Sequence, residues 1–404
     1  MTLASSMAKP GERVLIAGGG IGGLATAVGL GRRGIETEVL ERSRFTEETG
    51  AGIQLAPNAT RVLAALGVLE LIEPHAFAPE QIVIRDGLTG RKLAALPLGS
   101  RVEDRYGAPY LTLHRADLHA GLRLAAESLT QVTLRPDFTV LTADMRGDDV
   151  LVRGTDGSEA KGTSLIGADG LWSTLRPLVS PAASLHFTGA TAWRSLLPRD
   201  GLAAPFDAPA VGLWLGPRAH LVHYPVRGGR ELNVVAVTQG GAASQGWNQP
   251  ASVETLLAGF TRWCKDSKSL LERAAAWRSW SLYRLDRLRR FSEGRIVLLG
   301  DAAHPVLPYL AQGAALAIED AATLAAAIGA SPSDPAQAFR RYDELRRPRA
   351  SRVQRLSRRM GRIYHLGGAL RLARNLVLER RSGEAALSDF YWLYGTSPST
   401  LGGS

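Results

Sequence analysis

The chain has 404 residues, so two or three domains are expected, because a single hydrophobic core rarely grows to this length. The hydrophobic share of 45% and the charged share of 21% are typical of a globular protein. The formal net charge is +10, but the arginines are scattered and not interleaved with stacking aromatic residues, so no nucleic-acid partner is expected. The only cysteine, Cys264, excludes an internal disulfide and a CxxC metal site, and no bound metal is expected.

The N-terminal segment lacks the apolar core of a signal peptide, which makes a cytoplasmic location the expectation. Residues 14–31 carry no charge and are long enough to raise the question of a membrane helix. The glycines at 18–20 instead favour a sharp turn between a strand and a helix, so no membrane partner is expected.

The first glycine-rich stretch follows a short apolar run at residues 13–17, which predicts a buried parallel strand. Gly18 permits a tight turn, Gly20 lets the backbone approach a pyrophosphate, and Gly23 allows the next helix to pack closely on the strand. The pattern therefore predicts a site for a dinucleotide; the alternative is a glycine-rich turn without a ligand.

The elements that follow complete this expected nucleotide-binding unit. A helix over residues 22–33 directs its N-terminal amides at the phosphates. A second strand over residues 36–40 ends at Glu41, whose carboxylate can accept the ribose hydroxyls. An acidic residue at this position fits FAD or NAD and disfavours NADP.

Two further glycine-centred stretches lie far along the chain. The first is GADGLWSTLR over residues 167–176, and the second is GDAAHP over residues 300–305. Gly300 opens the carboxyl end of an expected strand over residues 296–299, where parallel sheets bind ligands. Asp301 can accept polyol hydroxyls there; its alternative role is to cap the next turn.

Together, the three stretches resemble those of the group A flavoprotein aromatic hydroxylases, the single-component FAD-dependent monooxygenases. The resemblance implies that Asp169 lies in a segment that helps to hold FAD, and that Asp301 binds the ribityl chain. It also implies that Arg115 contacts the FAD pyrophosphate, with Arg42 beside Glu41 at the cofactor. The alternative for both arginines is a surface ion pair.

The resemblance also places Pro308, Gly313 and Ala314 at the cofactor. Gly313 begins an alanine-rich helix over residues 314–328, whose positive end can stabilise a reduced, anionic flavin. NADH or NADPH is the implied co-substrate. The chain has no second full GxGxxG stretch, and the family likewise lacks a dedicated fold for the nicotinamide.

Between the second and third stretches, the pattern changes to short strands separated by turn residues. The expected strands are 190–197, 211–216, 220–226 and 233–238, preceded by a contribution from 81–98. They predict an α/β fold in which a mostly antiparallel sheet is inserted into a Rossmann-like FAD-binding domain. The expected division is an FAD-binding domain of residues 1–76, 108–178 and 275–330, a substrate domain of 77–107 and 179–274, and a C-terminal helical region of 331–404.

The C-terminal region begins where Asp334 and Pro335 match the N-cap and the first position of a helix. Pro348 is expected to interrupt or kink this helix. The basic helical remainder is expected either to cover the flavin domain or to form a homodimer contact.

Residues 220–224 indicate the chemistry of the inserted sheet. Side chains alternate along a strand, so His220 and Tyr224 share one face while His223 points to the other. A histidine with a pKa near neutrality can deprotonate a phenol, whose phenolate is more reactive. The pair resembles the His and Tyr of 3-hydroxybenzoate 6-hydroxylases and 6-hydroxynicotinate 3-monooxygenases; the alternative is a solvated polar face. His365 is among the histidines expected to be structural or solvated.

Gln54, Trp193 and Tyr309 are expected, by resemblance, to line the substrate pocket. The implied reaction is hydroxylation of a phenolic aromatic acid resembling salicylate, 3-hydroxybenzoate or 6-hydroxynicotinate, with NAD(P)H and O2, through a flavin C4a-hydroperoxide. Pro308 departs from the glutamine of the 3-hydroxybenzoate enzymes, and Gln54 from the histidine usual in the 6-hydroxynicotinate enzymes. The alternatives are a flavoprotein oxidase or reductase without oxygen insertion, and a non-catalytic flavin-binding protein whose basic tail recruits a partner.

Overall fold

The computed structural model of the chain describes residues 13–45, 51–243, 249–380, 383 and 387–396. The strands are β1 (Val14–Ala17), β2 (Thr37–Leu40), β3 (Gly52–Leu55), β4 (Gln81–Asp86), β5 (Lys92–Pro97), β6 (Leu111–His114), β7 (Val132–Arg135), β8 (Val140–Arg146), β9 (Asp149–Gly154), β10 (Glu159–Gly162), β11 (Ser164–Gly167), β12 (Leu185–Pro198), β13 (Ala210–Gly216), β14 (Ala219–Val226), β15 (Glu231–Gln239), β16 (Gln249–Ala251), β17 (Trp277–Leu285), β18 (Ser292–Glu293) and β19 (Ile296–Leu298).

The helices are α1 (Ile21–Gly31), α2 (Pro57–Ala65), α3 (Leu69–Ile72), α4 (Ser100–Tyr106), α5 (Arg115–Glu127), α6 (Arg176–Val179), α7 (Val253–Ala258), α8 (Lys265–Arg273), α9 (Gly313–Ala330), α10 (Pro335–Tyr364) and α11 (Gly368–Arg380), with a short helix at Tyr391–Tyr394. Single turns of 3-10 helix lie at Glu73–His75, Arg227–Gly229, Gly300–Ala302 and Pro308–Leu310.

The first sheet has the strand order β18-β19-β11-β1-β2-β7, and its strand pairs are parallel except for β18 with β19. The strands β1, β11 and β19 are continuous runs of buried residues, as expected for parallel strands covered on both faces. These three strands are neighbours, and each of the three glycine-centred stretches follows one of them. The stretches therefore meet at one edge of the sheet, and the predicted α/β class is confirmed.

The second sheet has the strand order β16-β17-β12-β15-β14-β13-β4-β5 and is antiparallel except for the pair β13 with β4. It contains the strands that the sequence predicts for this region. It also contains β17, which pairs with β12, although the expected division places residues from 275 onward in the FAD-binding domain. That boundary is corrected to follow Leu285, because the long edge of β12 provides the pairing partner that β17 needs.

The two faces of the second sheet are covered by different parts of the chain. One face, which includes Trp193 and Trp214, packs on residues of α7 and α8 in a single apolar cluster. The other face, which includes His220 and Tyr224, lies against the turn Pro308–Leu310 and the end of α10. A separate three-stranded sheet, β10-β9-β8, is not anticipated by the sequence analysis.

The C-terminal helices cover both regions of the molecule. Asp334 caps α10 by accepting a hydrogen bond from the Gln337 amide, as predicted. The helix then continues through Pro348 to Tyr364, so Pro348 does not interrupt it, and the alternative of a kink stays a prediction. Two arginines flanking this proline are anchored to α9, which holds the backbone on either side of the missing hydrogen bond. Further on, α10 packs on α9, and α11 packs on β5 of the second sheet.

Within the part of the chain that the structure describes, α9 is the one helix apolar and long enough to cross a membrane. Most of it is buried, and it packs against α1, α2 and α10. A core helix of a globular protein has the same composition, so the length and hydropathy of α9 are weak indications of a membrane span.

A buried charge cluster joins α10 to α9 and to the third glycine-centred stretch. Arg346 makes ion pairs with Glu319 and Asp320 at 2.7 and 2.6 Å, and all three side chains are fully buried. Asp320 also contacts His304 Nε2 at 2.6 Å and accepts a hydrogen bond from the Gly300 amide. Burial alone would raise the Asp320 pKa, but His304 and Arg346 hold it well below its ordinary value.

Candidate active site

The first glycine-centred stretch forms a loop that leaves no room for side chains except at one point. Gly18 has a φ of +106°, and a Cβ there would lie 2.5 Å from the Ala168 carbonyl oxygen of the second stretch. A Cβ on Gly23 would lie 1.9 Å from the Gly18 carbonyl oxygen. Gly20, in contrast, has no atom within 4 Å of a Cβ position. The loop therefore keeps an open space at Gly20, directly at the N-terminus of α1, where an anionic group is favoured.

Glu41 closes the other side of this loop. Its carboxylate accepts hydrogen bonds from the Gly19 amide at 2.6 Å and from the Ser43 amide at 2.9 Å. It thus follows β2 at the position from which a ribose would be reached. Arg42 is exposed at the surface beside it.

Arg176 joins the second stretch to the third. Its guanidinium donates to the Ala302 carbonyl at 2.8 Å and to the Leu171 carbonyl at 2.7 Å, and its side chain is buried. Asp169 accepts hydrogen bonds from the Thr174 amide through Oδ2, whereas its buried Oδ1 has no partner among the described residues. The second stretch therefore keeps an unused acceptor next to the first loop.

Asp301 and Arg115 lie close enough that the charge of each shifts the pKa of the other. The Asp301 side chain is exposed to solvent, yet the surrounding protein removes enough of its hydration to raise its pKa. The positive charges of Arg115 and Arg176 oppose this rise. The Asp301 carboxyl is therefore accessible from the solvent but poorly hydrated.

Between Asp301 and α9, the chain forms the 3-10 turn Pro308–Leu310. Pro308 is exposed at the start of this turn, while the next residue, Tyr309, is buried. The helix α9 then begins at Gly313, as predicted, and a Cβ on Gly313 would meet no atom within 4 Å. Ala314 is half-buried beside it. The N-terminal amides of α9 consequently face a space without side chains.

On the second sheet, His220 is enclosed by three aromatic or imidazole rings. The centroid of its ring lies 5.3 Å from Tyr309, 5.5 Å from Tyr364 and 5.1 Å from His365. Its Nδ1 is 2.9 Å from His365 Nε2, a buried hydrogen bond. Burial, and secondarily His365, lower the His220 pKa well below its ordinary value, so the imidazole is neutral at pH 7. This differs from the near-neutral pKa expected from the sequence.

Tyr224 lies on the same face as His220, two residues beyond Val222. Burial raises the Tyr224 pKa above its ordinary value, while a hydrogen bond with Gln54 and the charge of Arg194 act in the opposite direction. Gln54 also accepts a hydrogen bond from the Tyr110 hydroxyl at 2.7 Å. A Cβ on Gly52 would lie 2.6 Å from the Tyr224 ring, so only glycine lets β3 approach the second sheet this closely. The structure therefore brings Gln54, His220, Tyr224 and Tyr309 together.

Trp193 is not part of this group, which corrects the expectation that it lines the pocket. It pairs with Ala236 in β15 and lies in the apolar cluster on the opposite face of the sheet. Its indole nitrogen donates to Thr238 Oγ1 at 2.9 Å. The alternation of side chains along β12 then places Arg194 on the face of His220 and Tyr224.

The model of the family described as "FAD binding domain" matches residues 12–357 of the chain. The chain belongs to the FAD-dependent aromatic hydroxylases. It is 37% identical over 383 residues to the 3-hydroxybenzoate 6-hydroxylase of Polaromonas naphthalenivorans (strain CJ2), covering 95% of each chain. It is 39% identical over 394 residues to a 3-amino-4-hydroxybenzoate 2-monooxygenase of Streptomyces platensis, covering 96% of this chain and 97% of the relative.

Among solved structures, Klebsiella pneumoniae HpxO in complex with FAD and uric acid superposes with a TM-score of 0.81. Its sequence is 26% identical, and the match covers 96% of both chains. The resemblance to FAD-dependent aromatic hydroxylases is thus confirmed, and this hydroxylase is a flavoprotein monooxygenase that uses FAD.

The residues of this hydroxylase fit FAD on structural grounds as well. The open spaces at Gly20 and Gly313 suit groups that approach the backbone closely, and each lies at the N-terminus of a buried helix. Asp169 Oδ1 and the exposed Asp301 carboxylate provide acceptors for hydroxyl groups. This combination matches a cofactor with both a pyrophosphate and a polyol chain.

Sequence reasoning missed three residues that the structure places at the site. Arg194 could have been found by applying strand alternation to residues 192–194, since Trp193 and Arg194 cannot face the same side. Tyr364 and His365 carry no such signal, because they lie at the C-terminal end of α10, and His365 is 145 residues from His220 in the chain. Only the folded chain shows that they enclose His220.

Proposed function

We propose that this hydroxylase inserts one oxygen atom into a phenolic aromatic acid, with NADH or NADPH as reductant and O2 as oxidant. One oxygen atom of O2 enters a ring C–H bond as a hydroxyl, the other leaves as water, and the nicotinamide loses a hydride. FAD, when bound, passes these electrons to O2 and supplies the oxygen atom that the ring attacks. The names of both relatives, which contain a hydroxybenzoate, support this class of substrate.

The observation that carries the proposal is the shared face of His220, Tyr224 and Arg194, which lies against the third glycine-centred stretch through Tyr309. His220 is neutral at pH 7 and so has a lone pair available for a phenolic proton. The lowered pKa of His220 is that of the protein without substrate. A phenolate formed beside His220 would stabilise the imidazolium and raise the His220 pKa. His220 is therefore the proposed base, with the Tyr224 hydroxyl as a hydrogen-bonding partner of the substrate.

Arg194 is the proposed partner of the substrate carboxylate. Its guanidinium lies over the Trp280 ring, with its Cζ atom 4.9 Å from the ring centroid. Burial, and secondarily the charge of Arg115, lower the Arg194 pKa to about 10. An anion bound at Arg194 would offset the repulsion that this guanidinium experiences from Arg115. Gln54 and Tyr309 are proposed to complete the pocket.

The cofactor contacts are proposed residue by residue. Gly18, Gly20 and Gly23 would form the cradle of the pyrophosphate, with Arg115 as its counter-charge and Glu41 at the ribose. Asp169 and Asp301 would accept hydroxyls of the ribityl side. The contacts proposed at the edge of the site are those of Arg42, Pro308, Gly313 and Ala314.

The function is tested with purified holoenzyme in the presence of 18O-labelled oxygen. We expect that 3-hydroxybenzoate or 3-amino-4-hydroxybenzoate stimulates oxidation of NADH or NADPH, and that mass spectrometry detects one labelled oxygen atom in the aromatic product. Nicotinamide oxidation without a labelled product across a set of hydroxylated benzoates and pyridine carboxylates would instead identify an oxidase or reductase. Bound flavin with no nicotinamide oxidation would identify a flavin-binding protein without this activity.

The role of His220 is tested by His220→Ala. We expect the variant to retain FAD and to lose about 100-fold or more of its substrate-stimulated hydroxylation at neutral pH, the usual size of a general-base contribution. His223→Gln is the matched control, because His223 is buried on the opposite face of the same strand, against Phe206 and Trp214. Equal loss in both variants, or full activity of His220→Ala, would remove His220 from the mechanism.

A further inference from the structure

The hydrogen bond between His220 and His365 has no role in the function proposed above. It is 2.9 Å long, both rings are buried, and the two residues come from different parts of the fold. His365 is the residue at which α10 ends, and the helix α11 follows it directly. A buried contact between two neutral imidazoles requires one to donate and the other to accept. The direction of this bond decides which nitrogen of His220 carries the proton.

We propose that His365 accepts a hydrogen bond from the Nδ1–H of His220, which keeps the proton on Nδ1 and the lone pair of His220 Nε2 available to the phenolic substrate. His365 is then a positioning residue, acting through His220. This inference rests on the proposed function only in its consequence for catalysis, because the tautomer of His220 is a property of the protein without substrate.

The surroundings of the two rings support this direction. Among the residues that the structure describes, no group forms a hydrogen bond with His220 Nε2, so Nδ1 is the nitrogen that the protein fixes. If His220 carried its proton on Nε2, the nitrogen required as the base would be blocked in the ground state.

The surroundings at the end of α10 keep His365 neutral, the state in which one of its nitrogens can accept a hydrogen bond. Arg374 of α11 donates hydrogen bonds to the carbonyls of Ile363 and Tyr364 at 3.3 and 2.8 Å, next to His365. Burial, and secondarily the charge of Arg374, lower the His365 pKa to about 4. His365 is therefore neutral under working conditions, with one nitrogen available as an acceptor. Tyr309 packs against both rings, and Tyr364 packs against the ring of His220, which limits the rotation of the two histidines.

The test compares His365→Leu, which removes the acceptor, with His365→Gln, whose side-chain amide oxygen can replace it. The tautomer is measured by NMR on holoenzyme that contains histidine with isotope-labelled ring nitrogens, and the His220 signals are identified by their loss in His220→Gln. We expect the wild type to carry the His220 proton on Nδ1, His365→Gln to retain this state, and His365→Leu to populate both tautomers. A proton on Nε2 in the wild type, or the same tautomer in His365→Leu as in the wild type, overturns the proposal.

Catalysis provides the second measurement. We expect substrate-stimulated NAD(P)H oxidation to fall roughly tenfold in His365→Leu, since one neutral hydrogen bond contributes on the order of 1 kcal/mol, and to recover to within about twofold in His365→Gln. Bound flavin and the thermal midpoint are recorded for each variant. Loss of activity with an unchanged tautomer would show a merely structural role and would overturn the proposal. If no aromatic acid stimulates the wild type, the proposed function fails, while the NMR result still decides the role of His365.

Discussion

The flavin-binding region and the second sheet build their sites by different means. In the first, the backbone forms most of the site: glycines at 18, 20 and 23 shape the loop, and helix N-termini supply amides. In the second, the site consists of side chains from several elements, including His220 on β14 and His365 after α10. A site formed by backbone requires particular residues at fixed spacings, whereas a site formed by side chains requires only that the right faces meet.

This difference explains where the two regions are vulnerable. The glycine loop of the first stretch tolerates few substitutions at its own positions. The third glycine-centred stretch depends, in addition, on α10 through the buried charge cluster of Glu319, Asp320 and Arg346. The second sheet instead depends on which face of a strand is directed at the site, as Trp193 and Arg194 demonstrate. The following predictions test each of these dependences.

The largest effect on stability is expected from Arg346→Met. A loss of both stability and bound flavin in this variant would show that the flavin-binding region depends on the C-terminal helices. The substitution leaves Glu319 and Asp320 buried with one partner fewer, and we expect the free energy of unfolding to fall by about 3–5 kcal/mol. Because Asp320 holds the Gly300 amide, FAD retention should fall as well. Urea unfolding and the ratio of bound flavin to protein measure the two effects.

Arg341→Met is the control for this prediction. Arg341 pairs with Glu344 on the exposed side of the same helix, at 3.6 Å. Exposed pairs contribute roughly 0–1 kcal/mol, so stability and flavin content should stay close to those of the wild type. Equal losses in both variants would show that α10 itself, rather than its buried charges, is sensitive.

A second, smaller effect is expected from alanine at two glycines of the first loop. Gly20→Ala adds a methyl group where no protein atom lies within 4 Å, at a φ of −75° that alanine adopts readily, so stability should be unchanged. The methyl group occupies the space proposed for the pyrophosphate, and we expect FAD affinity to fall about 10- to 100-fold, as for overpacking by 1–3 kcal/mol. Titration of apoprotein with FAD measures the affinity.

Gly23→Ala sharpens this comparison. Its methyl group would lie 1.9 Å from the Gly18 carbonyl oxygen, so the loop must shift and both stability and FAD affinity should fall. Wild-type FAD affinity in Gly20→Ala would show that the pyrophosphate approaches the protein elsewhere.

The smallest effect of a single substitution concerns acid stability, to which we expect each buried histidine in and around the second sheet to contribute separately. Burial lowers the His223 pKa to about 3 and the His365 pKa to about 4, and it also lowers the His220 pKa. In the unfolded chain these groups take up protons near pH 6.5, so acid favours unfolding. The free energy of unfolding should therefore fall as the pH drops below about 6.5, by up to about 1.4 kcal/mol per pH unit for each histidine.

Urea unfolding at pH values from about 7.5 to 5 measures this slope, above the range in which carboxyl groups take up protons. His223→Gln removes one of the titrating groups and should reduce the slope by about 1.4 kcal/mol per pH unit. An unchanged slope in this variant would show that His223 takes up its proton at the same pH in the folded protein as in the unfolded chain, so that burial does not lower its pKa.

The sequence predicted the fold of the flavin-binding region because its signals are local. A continuous apolar run, a glycine loop and an acid after β2 lie within 30 residues, and all three indicate the same strand-turn-helix-strand unit. The second sheet was predicted as strands, and His220 and Tyr224 were correctly placed on one face, since alternation is also local. Strand β17 and the three-stranded sheet escaped prediction, although β17 has nine residues and the burial of β9 alternates along the strand. Which sheet β17 joins is decided by its pairing with β12, a strand from a distant part of the chain.

The sequence by itself determined the α/β class, the three glycine-centred stretches and the position of His220 and Tyr224 on a single face. Tertiary structure alone decided that Arg194 rather than Trp193 faces them, and that Arg346 ties the tail to the third stretch. It also decided that His365 contacts His220 across 145 residues. The physical reason is range: backbone conformation is set by neighbours in the chain, whereas burial and hydrogen-bond partners are set by whichever distant segment packs against a face.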